Sequence, residues 1–135
     1  MKIKFHSIAD HSNGNDKIEP IIIDFEIEAT YESFQDDEGQ IFDVYSFIDP
    51  GNNFKTRLEF GLTNMNIYTG EYTLNINTSK DEFCEIIDSK NNFKYQLITR
   101  GQYIAKKEKN KEVNYQLFDA NEILLGTFNI VVSEI

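Results

Sequence analysis

Two histidines, one cysteine and two arginines are the residues of widest chemical range in this sequence of 135 residues. His6 and His11 stand near Asp10 and Asp16, so one predicted hairpin carries four groups able in principle to gather round a metal ion. A zinc centre needs about four ligands, or three and a water. A polar surface hairpin is the simpler reading of these residues, and no metal is assigned. From Asp10 to Glu19 the chain superficially suggests a calcium loop. Such loops place glycine sixth, whereas Gly14 falls fifth counting from Asp10. Asp36, Asp37 and Glu38 read as a solvated turn. Nucleophilic catalysis needs a nucleophile beside a base and an orienting group. Cys84 with His6 is the one Cys/His combination, it has no local signature, and Cys84 reads better as a core residue. Glycine is isolated in Thr69-Gly70 and Arg100-Gly101, not gathered into a phosphate loop. No catalytic residue and no cofactor are assigned, and the chain is expected not to be an enzyme. Arg57 and Arg100 are expected to pair with Glu26, Glu28 or Glu59 across strands. The alternative is an inward arginine that holds a ligand carboxylate bidentately.

The elements that must position these residues are strands, separated by turn signals every 8–12 residues. Lys2–Ala9 comes first, then a turn at Asn13-Gly14. The run Ile21–Phe34 alternates: Ile21, Ile23, Phe25, Ile27, Ala29 and Tyr31 on one side, Asp24, Glu26, Glu28 and Glu32 on the other. Period two with one apolar and one acidic face predicts a packed side and a wet side. Asp36 to Gly39 turns the chain into Gln40–Asp49. Pro50-Gly51 predicts a type II turn, with positive φ at the glycine. Phe54, Thr56, Leu58 and Phe60 share a face of the next strand. Met65–Tyr68 and Tyr72–Thr78 form a hairpin around Thr69-Gly70. Phe93–Tyr103 carries Phe93, Tyr95, Leu97, Thr99 and Tyr103 on one face. Lys106–Lys111 reads as a charged loop, and Val113–Phe118 and Leu124–Val132 close the chain through a turn at Asp119–Glu122. The segment from Ser79 has both a capping box and helical apolar spacing at Phe83, Ile86 and Ile87. The Asn91-Asn92 turn after it favours a strand over Cys84–Asp88 instead.

About eight to ten short strands with short connections predict a single all-β domain over residues 1–135, an antiparallel meander forming a closed or nearly closed barrel. Closure also removes exposed edges. Among the Phe, Leu and Ile of the predicted inward faces stand Tyr45, Thr56, Tyr72, Tyr95, Thr99 and Tyr115. A barrel of this size either fills its interior or keeps room for one small ligand, and an apolar cavity with a few hydroxyls is how such a site fixes its ligand. These six residues are the expected ligand-binding set, for a small apolar or amphipathic molecule. In a filled barrel the tyrosines instead reach the rim and the threonines bond to neighbouring backbone.

Net charge is −10, which repels phosphate backbones and anionic lipid, so neither nucleic acid nor membrane is an expected partner. The charge serves solubility, and the alternative is that the acidic strand face docks a basic protein. The N-terminus lacks an apolar run of signal-peptide length, and no segment approaches the ~20 apolar residues of a membrane helix. A cytoplasmic location is therefore expected. A lone cysteine makes no internal disulfide. Nothing in the sequence specifies an oligomeric state.

Taken over nearly its whole length, the chain resembles the YwiB-like bacterial proteins, a family of unknown function with a calycin (lipocalin-like) barrel. The resemblance lies in Ile3–Ala9 followed by an acidic turn, Tyr45-Ser46-Phe47 before a turn, and Lys55-Thr56-Arg57-Leu58. It continues in Ile67-Tyr68-Thr69-Gly70 and Asn114-Tyr115-Gln116-Leu117. The family pattern has an arginine two residues before the hairpin glycine, where this chain has Tyr68. The resemblance implies the barrel and a strand at Cys84–Asp88, and it implies no activity.

Overall fold

Alternating apolar and polar residues build strands throughout the computed structural model, which describes residues 1–12, 18–88 and 90–135. Eleven strands are present among the described residues: β1 (Lys2–Asp10), β2 (Ile21–Glu28), β3 (Thr30–Gln35), β4 (Ile41–Ile48), β5 (Lys55–Phe60), β6 (Asn64–Tyr68), β7 (Thr73–Asn77), β8 (Glu82–Asp88), β9 (Phe93–Lys106), β10 (Asn110–Asp119) and β11 (Leu124–Glu134). The expected turn at Asn13-Gly14, and Asp16 with it, lie outside the described residues. The segment with helix and strand signals is strand, β8. The extra strand over the expected ten at most comes from the run Ile21–Phe34, which the fold divides at Ala29.

Hydrogen bonding organises the strands into two antiparallel sheets, one in the order β2-β1-β11-β10-β9-β8 and one in the order β3-β4-β5-β6-β7. Followed round both sheets, the strands keep sequence order, with β1 against β11 joining the two ends of the chain. This is the circuit of an up-and-down barrel, but the expected closure is absent: the ladders lapse at two seams. At the first, Ala29 is still bonded to Met1 beyond the end of β1 (N to O 2.7 Å, and the terminal ammonium to Ala29 O 2.9 Å), and the chain then leaves for the other sheet. At the second, β7 passes over β9 instead of pairing with β8. The Thr99 hydroxyl donates to Asn75 O there, and a Cβ on Gly101 would stand 2.7 Å from Asn77 O. Glycine is what lets the two backbones approach so closely.

Both sheets nonetheless face one interior. Ile3, Val113, Tyr115, Ile130 and Val132 of the first sheet share a single apolar cluster with Tyr45, Phe47, Leu58, Phe60, Met65, Ile67, Leu74 and Ile76 of the second. Burial of such side chains at about 25 cal/mol per Å² is the main force holding the sheets together.

Three local expectations are corrected. Pro50-Gly51 does not form the type II turn: Asp49 Oδ1 accepts from Gly51 N at 2.7 Å, and the positive φ (63°) falls on Asn53, whose N–H donates to Asp49 O at 2.8 Å. The expected loop Lys106–Lys111 is shorter than its bounds, since β9 runs to Lys106 and β10 starts at Asn110, leaving residues 107–109 as the connection. Finally, Gln102 is an extra residue on β9, because Gly101 pairs with Tyr115 and Tyr103 with Asn114. That bulge turns Tyr103 to the outer face, where its hydroxyl donates to Glu112 at 2.7 Å.

Candidate functional site

A cavity of about 250 Å³ opens between the sheets. Its walls come from β1 (Phe5, Ser7, Ala9), β10 and β11 (Tyr115, Phe128, Ile130) on one side. On the other they come from β4, β5 and β6 (Phe47, Thr56, Leu58, Ile67). The period-two rhythm places these residues inward, and Phe5 and Ser7 alternate with the outward Lys4 and His6. One lip of the cavity is formed by the loops after β4 and β6, through Asp49, Asn52, Thr69, Glu71 and Tyr72. Side chains stiffen both loops: Asn52 Oδ1 accepts from Phe54 N at 2.9 Å, and Thr69 Oγ1 accepts from Glu71 N and Tyr72 N, both at 3.1 Å. Gly70 seats the Phe54 ring, 2.5 Å from where a Cβ would stand, and so joins the two loops. Ile23 on the edge strand β2, 47% exposed, forms part of the opposite lip.

Thr56, Tyr72 and Tyr115 of the expected ligand-binding set meet at this cavity. Tyr115 is 5% exposed, with its ring stacked on Phe128 at 5.2 Å. Its hydroxyl has no hydrogen-bond partner among the described residues. Burial, and then the proximity of Tyr72, push its pKa up. Tyr72 keeps 36% of its surface exposed, yet burial of its phenol and the charges of Glu71 and Asp49 raise its pKa. A negative potential therefore reaches the lip.

The other three residues of the set lie elsewhere. Thr99 is fully buried at the β7–β9 crossing and bonds to Asn75 O. Tyr45 is fully buried one inward position before Phe47 on β4, with its hydroxyl unpartnered and sealed from the cavity. Tyr95 does not face a closed interior: residues 93–96 pair with β8 alone, so this hairpin end projects beyond β10 and the ring stays 44% exposed against Phe93. The alternation found the inner face of β9 but carried no record of where the opposite sheet ends. Of the cavity residues outside the set, Phe5, Leu58 and Phe128 carried the same alternation signal. Asp49 and Glu71 carried none beyond standing next to a turn.

The remaining chemistry-bearing residues are dispersed. His6 is bonded to Asp24, and His11 Nδ1 lies 3.2 Å from Leu125 O. Asp10 Oδ1 accepts from Ser12 N at 2.9 Å. Among the described residues no three of His, Cys, Asp and Glu come together as metal ligands. Cys84 is buried against Asn75 on β8, four strands from His6 on β1 in the sheet order, or roughly 19 Å at ordinary strand spacing. Arg57 pairs with Glu59 (2.8 Å) beside it on β5 and Glu32 (3.4 Å) on β3, and Arg100 grips Asp81 through two 2.9 Å bonds. Neither arginine lines the cavity. On the acidic face of β2, Asp24, Glu26 and Glu28 already have His6, Lys2 and the terminal ammonium as neighbours. A larger depression of about 670 Å³, lined by Glu28, Tyr31, Ile48, Lys55 and Arg57 among others, is an open surface groove at the β2–β3 seam. No helix among the described residues is long and apolar enough to cross a membrane.

The chain matches no protein-family model and no curated protein. Among solved structures it is similar to the ywiB protein from Bacillus subtilis, with a TM-score of 0.62 and 12% identity over 99% of this chain and 90% of that one. At that identity the likeness is one of fold: the two-sheet, all-β architecture described here is a YwiB-like fold.

Proposed function

We propose that this protein is a non-enzymatic, cytoplasmic binding module of the calycin-like kind, holding one small amphipathic ligand between its sheets. The observation that carries the reading is the Tyr115 hydroxyl, on a residue only 5% exposed, left without a partner among the described residues and lining a cavity whose deeper walls are mainly apolar and whose lip is polar. That oxygen faces the open volume, so a ligand hydroxyl or amine would replace water as its partner. The volume equals that of about eight liquid water molecules, so the ligand is smaller than a drug-sized one. The reading as a docking platform for a basic protein has less support, because the β2 carboxylates already have cationic neighbours.

Methyl-detected NMR titration with n-octanol tests the proposal. Shifts confined to Leu58, Ile67 and Ile130 are expected. No shift up to the solubility limit, or shifts spread over the outer faces, would overturn it.

A further inference from the structure

The charged groups that line the cavity are both carboxylates, Asp49 and Glu71; among the described residues no lysine, arginine or histidine lines it. Glu71 has no ion pair and its carboxylate accepts no hydrogen bond among the described residues. Asp49 spends Oδ1 on Gly51 N and leaves Oδ2 unpaired. Both belong to the stiffened lip, so the charges are held in place and do not hang on a slack loop. Tyr72 and Tyr115 line the same cavity, and the Tyr115 phenol oxygen has no hydrogen-bond partner among the described residues. Behind them the walls are Phe5, Phe47, Leu58, Ile67 and Phe128.

We infer that the ligand is a small primary ammonium compound with an apolar tail, its head at Asp49, Glu71 and the Tyr115 hydroxyl and its tail among the phenylalanines. An ammonium has three N–H donors and no acceptor, matching the free Oδ2 of Asp49, the Glu71 carboxylate and the Tyr115 phenol oxygen. Aromatic faces at the head add a cation–π contribution. A carboxylate-headed ligand would meet like charge at the lip and find no cation there. The inference rests on the binding-module reading and goes beyond it by naming the head group.

Calorimetric titration with n-octylammonium, n-octanol, octanoate and ethylammonium separates the two claims. The expected result is that octylammonium binds roughly five- to tenfold tighter than octanol, the range for charge pairing at a partly exposed rim. Octanoate should bind more weakly than octanol. The octylammonium advantage should vanish in the Asp49→Asn/Glu71→Gln double variant. The amide oxygen introduced at position 49 can still accept from Gly51 N there. Tyr115→Phe should weaken octylammonium as well. If octanol and octanoate bind as tightly as octylammonium, the head-group inference fails and the cavity reading stands. If none of the tailed compounds binds, both fail. If ethylammonium binds as tightly as octylammonium, the cation is held by surface charge alone and the inference is overturned.

Discussion

Tyr45 and Tyr115 both point into the space between the sheets, and both carry a phenol oxygen without a partner among the described residues, yet their surroundings are opposite. Tyr45 is sealed on all sides: Phe60 meets its ring edge-on at 6.3 Å, Tyr31 lies at 5.2 Å, and none of its surface is exposed. Around that end Lys106 bridges to Asp43 at 2.9 Å and buried Lys111 donates to two turn carbonyls, at 2.6 and 3.0 Å. Tyr115 stands against open volume under a lip of hydroxyls and unpaired carboxylates. One interior thus has a packed end that stabilises the sheets and a hollow end that is free to bind. A filled barrel would have had two packed ends.

The comparison breaks most readily at the packed end. Phe60→Ala should lower unfolding free energy by about 3–5 kcal/mol, read from a denaturant midpoint. A loss under ~1 kcal/mol would mean that this end is not the packed one. Overfilling discriminates next. Val132→Phe, at a fully buried site, should cost about 1–3 kcal/mol. Ser7→Leu places its added bulk in the cavity and should leave stability within about 1 kcal/mol while abolishing octanol binding. Equal costs at both sites would show that the hollow is already occupied by packing.

The packed end was the more legible of the two in the sequence. Period two put Leu58 and Phe60 on the inward face because alternation reports the face a residue occupies. It does not count a bulge, so Gln102 reversed the face of Tyr103 unseen. Nor does it register a change of sheet: the pattern runs unbroken through Ala29 because both sheets turn the same side toward a shared interior. Hollowness is a property of what stands opposite. Thr56 and Tyr115 face a gap while Tyr45 and Thr99 face backbone and rings, although all four sit at inward positions of their strands. The lip depends on Asp49 and Glu71, whose neighbours across the gap are set by loop conformation that the sequence pattern does not encode.

A smaller effect contrasts the two phenols directly. Tyr45→Phe removes a sealed, unpartnered hydroxyl and should raise unfolding free energy by about 1 kcal/mol. Tyr115→Phe, with open volume beside its oxygen, should change it by less than about 0.5 kcal/mol. Denaturation of the two variants side by side checks this, and the opposite ranking would place the open volume at Tyr45.

The smallest expected effects are in alkaline titration. Tyr31, near the packed end, donates to Asp43, and that bond, with burial and the Asp43 charge behind it, raises its pKa to about 12. Tyr72 at the hollow end is raised by burial and then by Glu71 and Asp49. Ultraviolet phenolate titration should therefore find Tyr31 moving down toward the ordinary ~10 in Asp43→Asn, and Tyr72 moving down in the Asp49→Asn/Glu71→Gln variant, with neither variant moving the other's phenol. The sign for stability follows from proton linkage. The folded state keeps these phenol protons at a pH where the unfolded chain has released them. Their contribution is thus complete below ~10 and is lost as pH climbs toward the folded value of about 12. Tyr31 is 42% exposed, so solvent screening leaves only a shallow decline. Stability that instead rises over that interval would mean that the phenolates, not the phenols, are the favoured partners in the fold.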